Sequence, residues 1–213
     1  MAEFKNNRIS QARREQAFHE AVDFETFLAQ AQVNRDALQD NYEAYELSEQ
    51  ELAFFAELPE PVDVLALAHD WCGDVAANLP LFARIERDTG KLKLRVIPRD
   101  PGNRDIAESY PAKDGQSRIP TYVFFSQAGE ELGHFIERPK DITVLLKVWQ
   151  EQFWAAHAEL SGRGKPIGEL TEDVRRLLLA DLKKRRSTVQ SLEKRAILEH
   201  IRGMLAARTE KAV

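Results

Sequence analysis

The chain has 213 residues, one cysteine and a formal net charge of −5, from 30 lysine and arginine against 35 aspartate and glutamate. That length allows one domain with a helical appendage, and at 43 % hydrophobic the chain is not intrinsically disordered. A lone cysteine excludes an internal disulfide framework, a multi-cysteine zinc site and a two-thiol active site within one chain, and mild acidity gives no reason to expect nucleic acid.

The N-terminal stretch 1–14 is polar and mixed in charge, without the apolar run of a signal peptide. Phe24, Phe27, Leu28 and Ala31 recur at helical spacing behind Asp23, a candidate N-cap. A second helix is predicted over 36–45. A third follows Ser48-x-x-Glu51, a capping box ahead of Leu52, Phe54 and Phe55, and Pro59 and Pro61 end it.

The pattern then changes. Residues 62–68 form the longest apolar run; it is broken by Asp63, reads as a buried strand and is far too short to cross a bilayer. Helical spacing returns at Ala76, Leu79, Phe82, Ala83 and Ile85. Leu92, Leu94 and Val96 alternate with polar neighbours as a second strand. Strand, helix, strand predicts a parallel pair with a right-handed crossover. An irregular stretch over 98–118 contains one short helix near 104–109. A third strand is predicted at 121–125, with a hairpin partner at 131–137 across the turn Gln127-Ala128-Gly129-Glu130. An amphipathic helix over 139–154 closes the unit.

Ser161-Gly162-Arg163-Gly164-Lys165-Pro166 has the punctuation of a linker. Beyond it, 163–213 carries a net +6, which leaves −11 on 1–162. Two helices are predicted in this basic tail, over about 171–186 and 191–207, as a hairpin. The expected domains are 1–60, a helical extension; 61–160, an α/β body; and 161–213, the basic hairpin.

The chemistry lies in His69-Asp70-Trp71-Cys72-Gly73-Asp74-Val75, between the first strand and a helix. Pro80 follows eight residues after Cys72, and Ile119-Pro120-Thr121 stands directly before the third strand. These residues, in this order over about 62–154, resemble the thioredoxin superfamily. The resemblance implies a thioredoxin-like fold: a central mixed sheet flanked by helices, here with the N-terminal helical extension and the C-terminal hairpin added. It also implies a cis proline at Pro120 facing the cysteine. Val75 stands where thioredoxin has its second cysteine, and Asp74 where it has proline. Trp71-Cys72-Gly73-Asp74 with Asn78-Leu79-Pro80, Pro98-Arg99-Asp100 and Ser117-Arg118-Ile119-Pro120 resembles a bacterial, poorly characterised thioredoxin-like branch in which the single cysteine is a family trait.

At a helix N-terminus a thiol faces free N–H groups and the positive end of the helix dipole, and both favour the thiolate. Asp74 opposes this if it turns toward the sulfur, or caps the helix if it turns away. With one thiol, Cys72 can attack a disulfide and form a mixed disulfide that a second thiol from outside must release. The partners this implies are a protein or low-molecular-weight thiol or disulfide; a homodimer linked through two Cys72 residues and oxidation to a sulfenic acid are further routes. The catalytic candidates are Cys72, Asp74 and Pro120. The binding candidates are Trp71, Gly73, Arg99, Asp100, Arg118, Ile119 and Thr121.

Each has a plainer reading. Cys72 is also explained as a buried structural cysteine, and Trp71 as a packing residue that shields it. Arg99, Asp100 and Arg118 hold an anionic group or form structural ion pairs. Pro120 fixes its loop and exposes an edge to which an extended peptide can pair. His69-x-x-Cys72 has no second ligand pair, so no metal and no cofactor are expected. Lys183-Lys184-Arg185-Arg186 has no aromatic stacking platform beside it and reads as a solvated helix end rather than a nucleic-acid site. The location expected is the cytoplasm, with no membrane partner. Two functions stay open: a monothiol oxidoreductase or redox sensor, and a redox-inactive interaction module.

Overall fold

Four strands form one mixed sheet in the order β2-β1-β3-β4. They are β1 (Val62–Leu67), β2 (Leu92–Ile97), β3 (Thr121–Phe125) and β4 (Glu131–Ile136). β1 runs parallel to β2 and antiparallel to β3, and β3 is antiparallel to β4. The computed structural model describes residues 4–209. Met1, Ala2 and Glu3, which open the polar N-terminal stretch, and 210–213, which end the basic tail, lie outside the described residues.

Helices α1 (Gln11–Glu20), α2 (Phe24–Gln30), α3 (Arg35–Ala44) and α4 (Glu49–Ala56) precede the sheet. Asp23 caps α2 by accepting from Thr26 N–H, and Ser48 and Glu51 make the predicted capping box at α4. α5 (Gly73–Thr89) crosses from β1 to β2, and Gly90, at φ 64°, ends it in the left-handed conformation that glycine adopts without strain. α6 (Arg104–Ser109) lies in the irregular stretch before β3.

The alternation of side chains along each strand builds a core on both faces of the sheet. On one face Leu65, Leu67, Val123 and Phe125 pack with Ala17 of α1 and Ile106 of α6. On the other, Phe82 of α5 stacks on Tyr122 of β3, with ring centroids 3.9 Å apart. Coverage on both faces explains why β1 and β3 read as continuous apolar runs.

Two features depart from the sequence reading. The stretch 11–20, inside the expected helical extension but given no helix of its own, is helix α1; Ser10 caps it and Ala17 is its one buried residue. Val22 then bridges to Val96, with backbone bonds of 2.9 and 2.7 Å in the two directions, so the extension adds a pairing on the outer edge of β2.

The chain gathers into two compact units: residues up to 137 with the end of the last helix from 201, and residues 138–200. The second contains α7 (Lys140–Ala156), a 3₁₀ turn (Ile167–Glu169), α8 (Glu172–Ser187) and the first half of α9 (Gln190–Thr209). Phe153, Trp154, Leu170, Val174, Leu178 and Leu182 form its core. The basic run at the end of α8 is partly neutralised there. Arg185 bonds Asp181 and Gln152, and Arg186 bonds the buried Glu193. No described helix is long and apolar enough to cross a membrane.

Candidate functional site

Cys72 is the N-cap of α5. Its N–H donates to His69 O at 3.1 Å, and its carbonyl accepts the first helical bond, from Ala76 N–H at 3.0 Å. The strand β1 ends just before it, and this order places the thiol on a strand-to-helix turn. The side chain is 9 % exposed, and Sγ lies 3.5 Å from Ile119 O, to which the thiol donates. The Ile119–Pro120 peptide is cis, as is Asp100–Pro101. The structure therefore brings Cys72, Ile119 and Pro120 together from loops 47 residues apart.

The Pro120 loop is held from three sides. Thr121, fully buried, donates from Oγ1 to Arg118 O at 2.6 Å. Pro120 O accepts from Glu137 N–H at 2.7 Å. Glu137 has a left-handed backbone, at φ 61°, and its own carbonyl accepts from Asn78 Nδ2 on α5 at 2.9 Å. Asn78 thus ties the cysteine helix to the proline loop. It is wholly buried, and its Oδ1 has no hydrogen-bond partner among the described residues.

Within the first turn of α5, Gly73 leaves open space where a side chain would stand. Asp74 is buried at 8 % exposure, and Val75 is fully buried. A thiolate at Cys72 would gain from the helix N-terminus. It would also give up the bond from the thiol to Ile119 O, which only the protonated sulfur makes.

Trp71 is 55 % exposed and stacks on His69, with ring centroids 5.4 Å apart. His69 Nε2 accepts from Asp100 N–H at 3.1 Å. Asp100 in turn accepts from Arg104 at 2.5 Å and from Arg99 at 2.7 Å, and these bonds hold its carboxyl below the usual carboxylate range. Arg118 bonds Asp114 and reaches Glu137 at 3.4 Å; the Asp114 bond raises its already high pKa. The three candidate anion-binding residues, Arg99, Asp100 and Arg118, thus sit in ion pairs with neighbouring side chains. No cluster of three metal-ligating side chains occurs among the described residues.

Sequence reasoning gave no role to Glu137 or Arg104, and it quoted Asp70 and Asn78 only as parts of a motif. Arg104 sits four residues after Asp100, but a turn with a cis Asp100–Pro101 peptide separates Asp100 from the start of α6, so no helical face relates the pair. The other three act through long-range backbone contacts that leave no local pattern.

A mixed β2-β1-β3-β4 sheet, a parallel crossover helix beginning at a cysteine, and a proline loop opposite the sulfur define a thioredoxin-like protein. A family model described as Thioredoxin matches residues 21–152, and the chain belongs to that family. No curated protein matches it. Two solved structures share the fold. One is an HIV epitope-scaffold, 18 % identical, with TM-score 0.55, covering 67 % of this chain and 88 % of the other. The second is a protein of unknown function from Pseudomonas aeruginosa, 17 % identical, with TM-score 0.54, covering 80 % of this chain and 94 % of the other.

Proposed function

We propose that the protein is a monothiol thiol-disulfide oxidoreductase or redox sensor that works through Cys72, within the single-cysteine Trp-Cys-Gly-Asp bacterial branch of the family. The observation that carries this reading is the sulfur at the first position of α5, 3.5 Å from the carbonyl that precedes Pro120. The Cys72 thiolate attacks one sulfur of a disulfide. The Cys72–sulfur bond forms, the original sulfur–sulfur bond breaks, and the leaving sulfur departs as a thiolate that takes a proton from water. A low-molecular-weight thiol then attacks the mixed disulfide and releases Cys72. Val75, fully buried in the place of a second thiol, supplies no internal exit, so release depends on that external thiol. In this scheme 61–160 is the working body, 1–60 its extension and 161–213 its basic tail.

A second reading is a redox-inactive interaction module. It is favoured by the bond from the Cys72 thiol to Ile119 O and by the sulfur's low exposure.

The rate of Cys72 alkylation against pH, with Cys72→Ser as control, separates the two. The oxidoreductase reading predicts a half-rise well below the free-thiol value of about 8.5. Slow labelling with a half-rise at or above that value supports the module.

A further inference from the structure

Asp70 joins the Cys72 loop to the helical extension. Its Oδ2 accepts from two successive backbone N–H groups, Gln32 at 2.7 Å and Val33 at 2.8 Å. The next residue, Asn34, has a left-handed backbone at φ 55°, and its side-chain amide donates to Asp70 O at 2.9 Å. Consecutive N–H groups beside a left-handed residue form a concave seat for an anion. Here the anion is a side chain from the cysteine loop.

From this seat α3 starts at Arg35 and follows α5. Asn41 Nδ2 bonds Ala76 O at 2.8 Å, and Tyr45 OH bonds Ala77 O at 3.0 Å. The extension is therefore fixed against the first turns of the helix that Cys72 caps. Val33 is 48 % exposed and Trp71, next to Asp70, is 55 % exposed, while Cys72 is only 9 % exposed.

We infer that Asp70 is a positioning residue: by anchoring Gln32, Val33 and Asn34 it makes the extension a wall of the Cys72 site and restricts that site to slender disulfides. This rests on Cys72 being a reactive thiol. The chemistry it selects is a disulfide in a small molecule or an extended chain, with one in a bulky folded surface held off.

The test compares the wild-type chain with Asp70→Ala, Asp70→Asn and Asn34→Ala. Each is labelled with N-ethylmaleimide and with a maleimide carried on a long polyethylene glycol chain. Both reagents consume the same thiolate, so the ratio of their rates removes any change in thiol acidity and reports access. Asp70→Ala is expected to raise the large-to-small ratio by about tenfold. Asp70→Asn, which keeps an acceptor oxygen, stays within about threefold of wild type. Asn34→Ala, a milder cut of the same link, moves the ratio in the same direction as Asp70→Ala. Hydrogen exchange at the Gln32 and Val33 amides speeds up in Asp70→Ala.

A ratio that stays unchanged while those amides open overturns the inference and leaves the reactive thiol intact. Amides that stay protected in Asp70→Ala overturn it too, because Asp70 is then not the anchor. A folded protein that neither reagent labels, in any variant, removes the oxidoreductase reading and this inference with it.

Discussion

At Cys72 two influences oppose each other. The helix N-terminus favours the thiolate, and the bond to Ile119 O favours the thiol. The balance is set by whatever holds the Pro120 loop at its distance from the sulfur. Asn78 and Glu137 do that from α5 and the end of β4, through one side-chain and one backbone bond. Asp70 has an electrostatic consequence of its own. Partial burial pushes its carboxyl up, but the N–H groups of Val33, Gln32, Trp71 and Asp70 together hold it below the ordinary value. A carboxyl depressed in the folded state stabilises fully above its unfolded pKa of about 4, and that contribution is lost as pH falls through the lower folded value. The urea midpoint should therefore fall between about pH 6 and about pH 3, and Asp70→Asn should shrink the fall. An equal fall in the variant would mean that other carboxylates carry the whole acid response.

Periodicity makes most elements legible in the sequence. The capping box at Ser48, the apolar runs of β1 and β3, and the alternation of β2 each carry a local signature of burial. α1 carries almost none, because one buried alanine is enough to seat it. The Val22 bridge is a single residue, which is too short for any pattern. Gly133 of β4 shows the same limit. It has φ 154°, and a side chain there would meet Met204 of α9, with Sδ 2.5 Å and Cγ 2.7 Å from the added carbon. Nothing near position 133 announces a helix that arrives from the C-terminus. Gly133→Ala should lower stability by about 1–3 kcal/mol in urea unfolding. Met204→Ala in the same chain should return part of that loss, because the two sites couple. Strictly additive losses would show that the strain lies in the strand backbone alone.

Across the whole molecule the sheet order agrees with the family that the cysteine motif resembles, and the structure brings that motif beside the Pro120 loop. What the sequence left hidden is how the extension engages that region. The link between Asp70 and Val33 spans 37 residues and consists of a carboxylate and backbone amides, which no spacing rule relates. The basic tail is likewise plainer in three dimensions. Arg185 and Arg186 pair inside their own unit, and Arg202 lies 5.0 Å from the Phe54 ring of α4. Those pairings leave Lys183 and Lys184 as the exposed part of the run. The central claim is that Cys72 exchanges with external disulfides in the folded protein. The most direct measurement is the intact mass of native protein incubated with oxidised glutathione, then with excess reduced thiol. The account predicts one glutathione added at Cys72, removed by the thiol and absent in Cys72→Ser. Native protein that gains no mass, while urea-unfolded protein gains one glutathione, would contradict it.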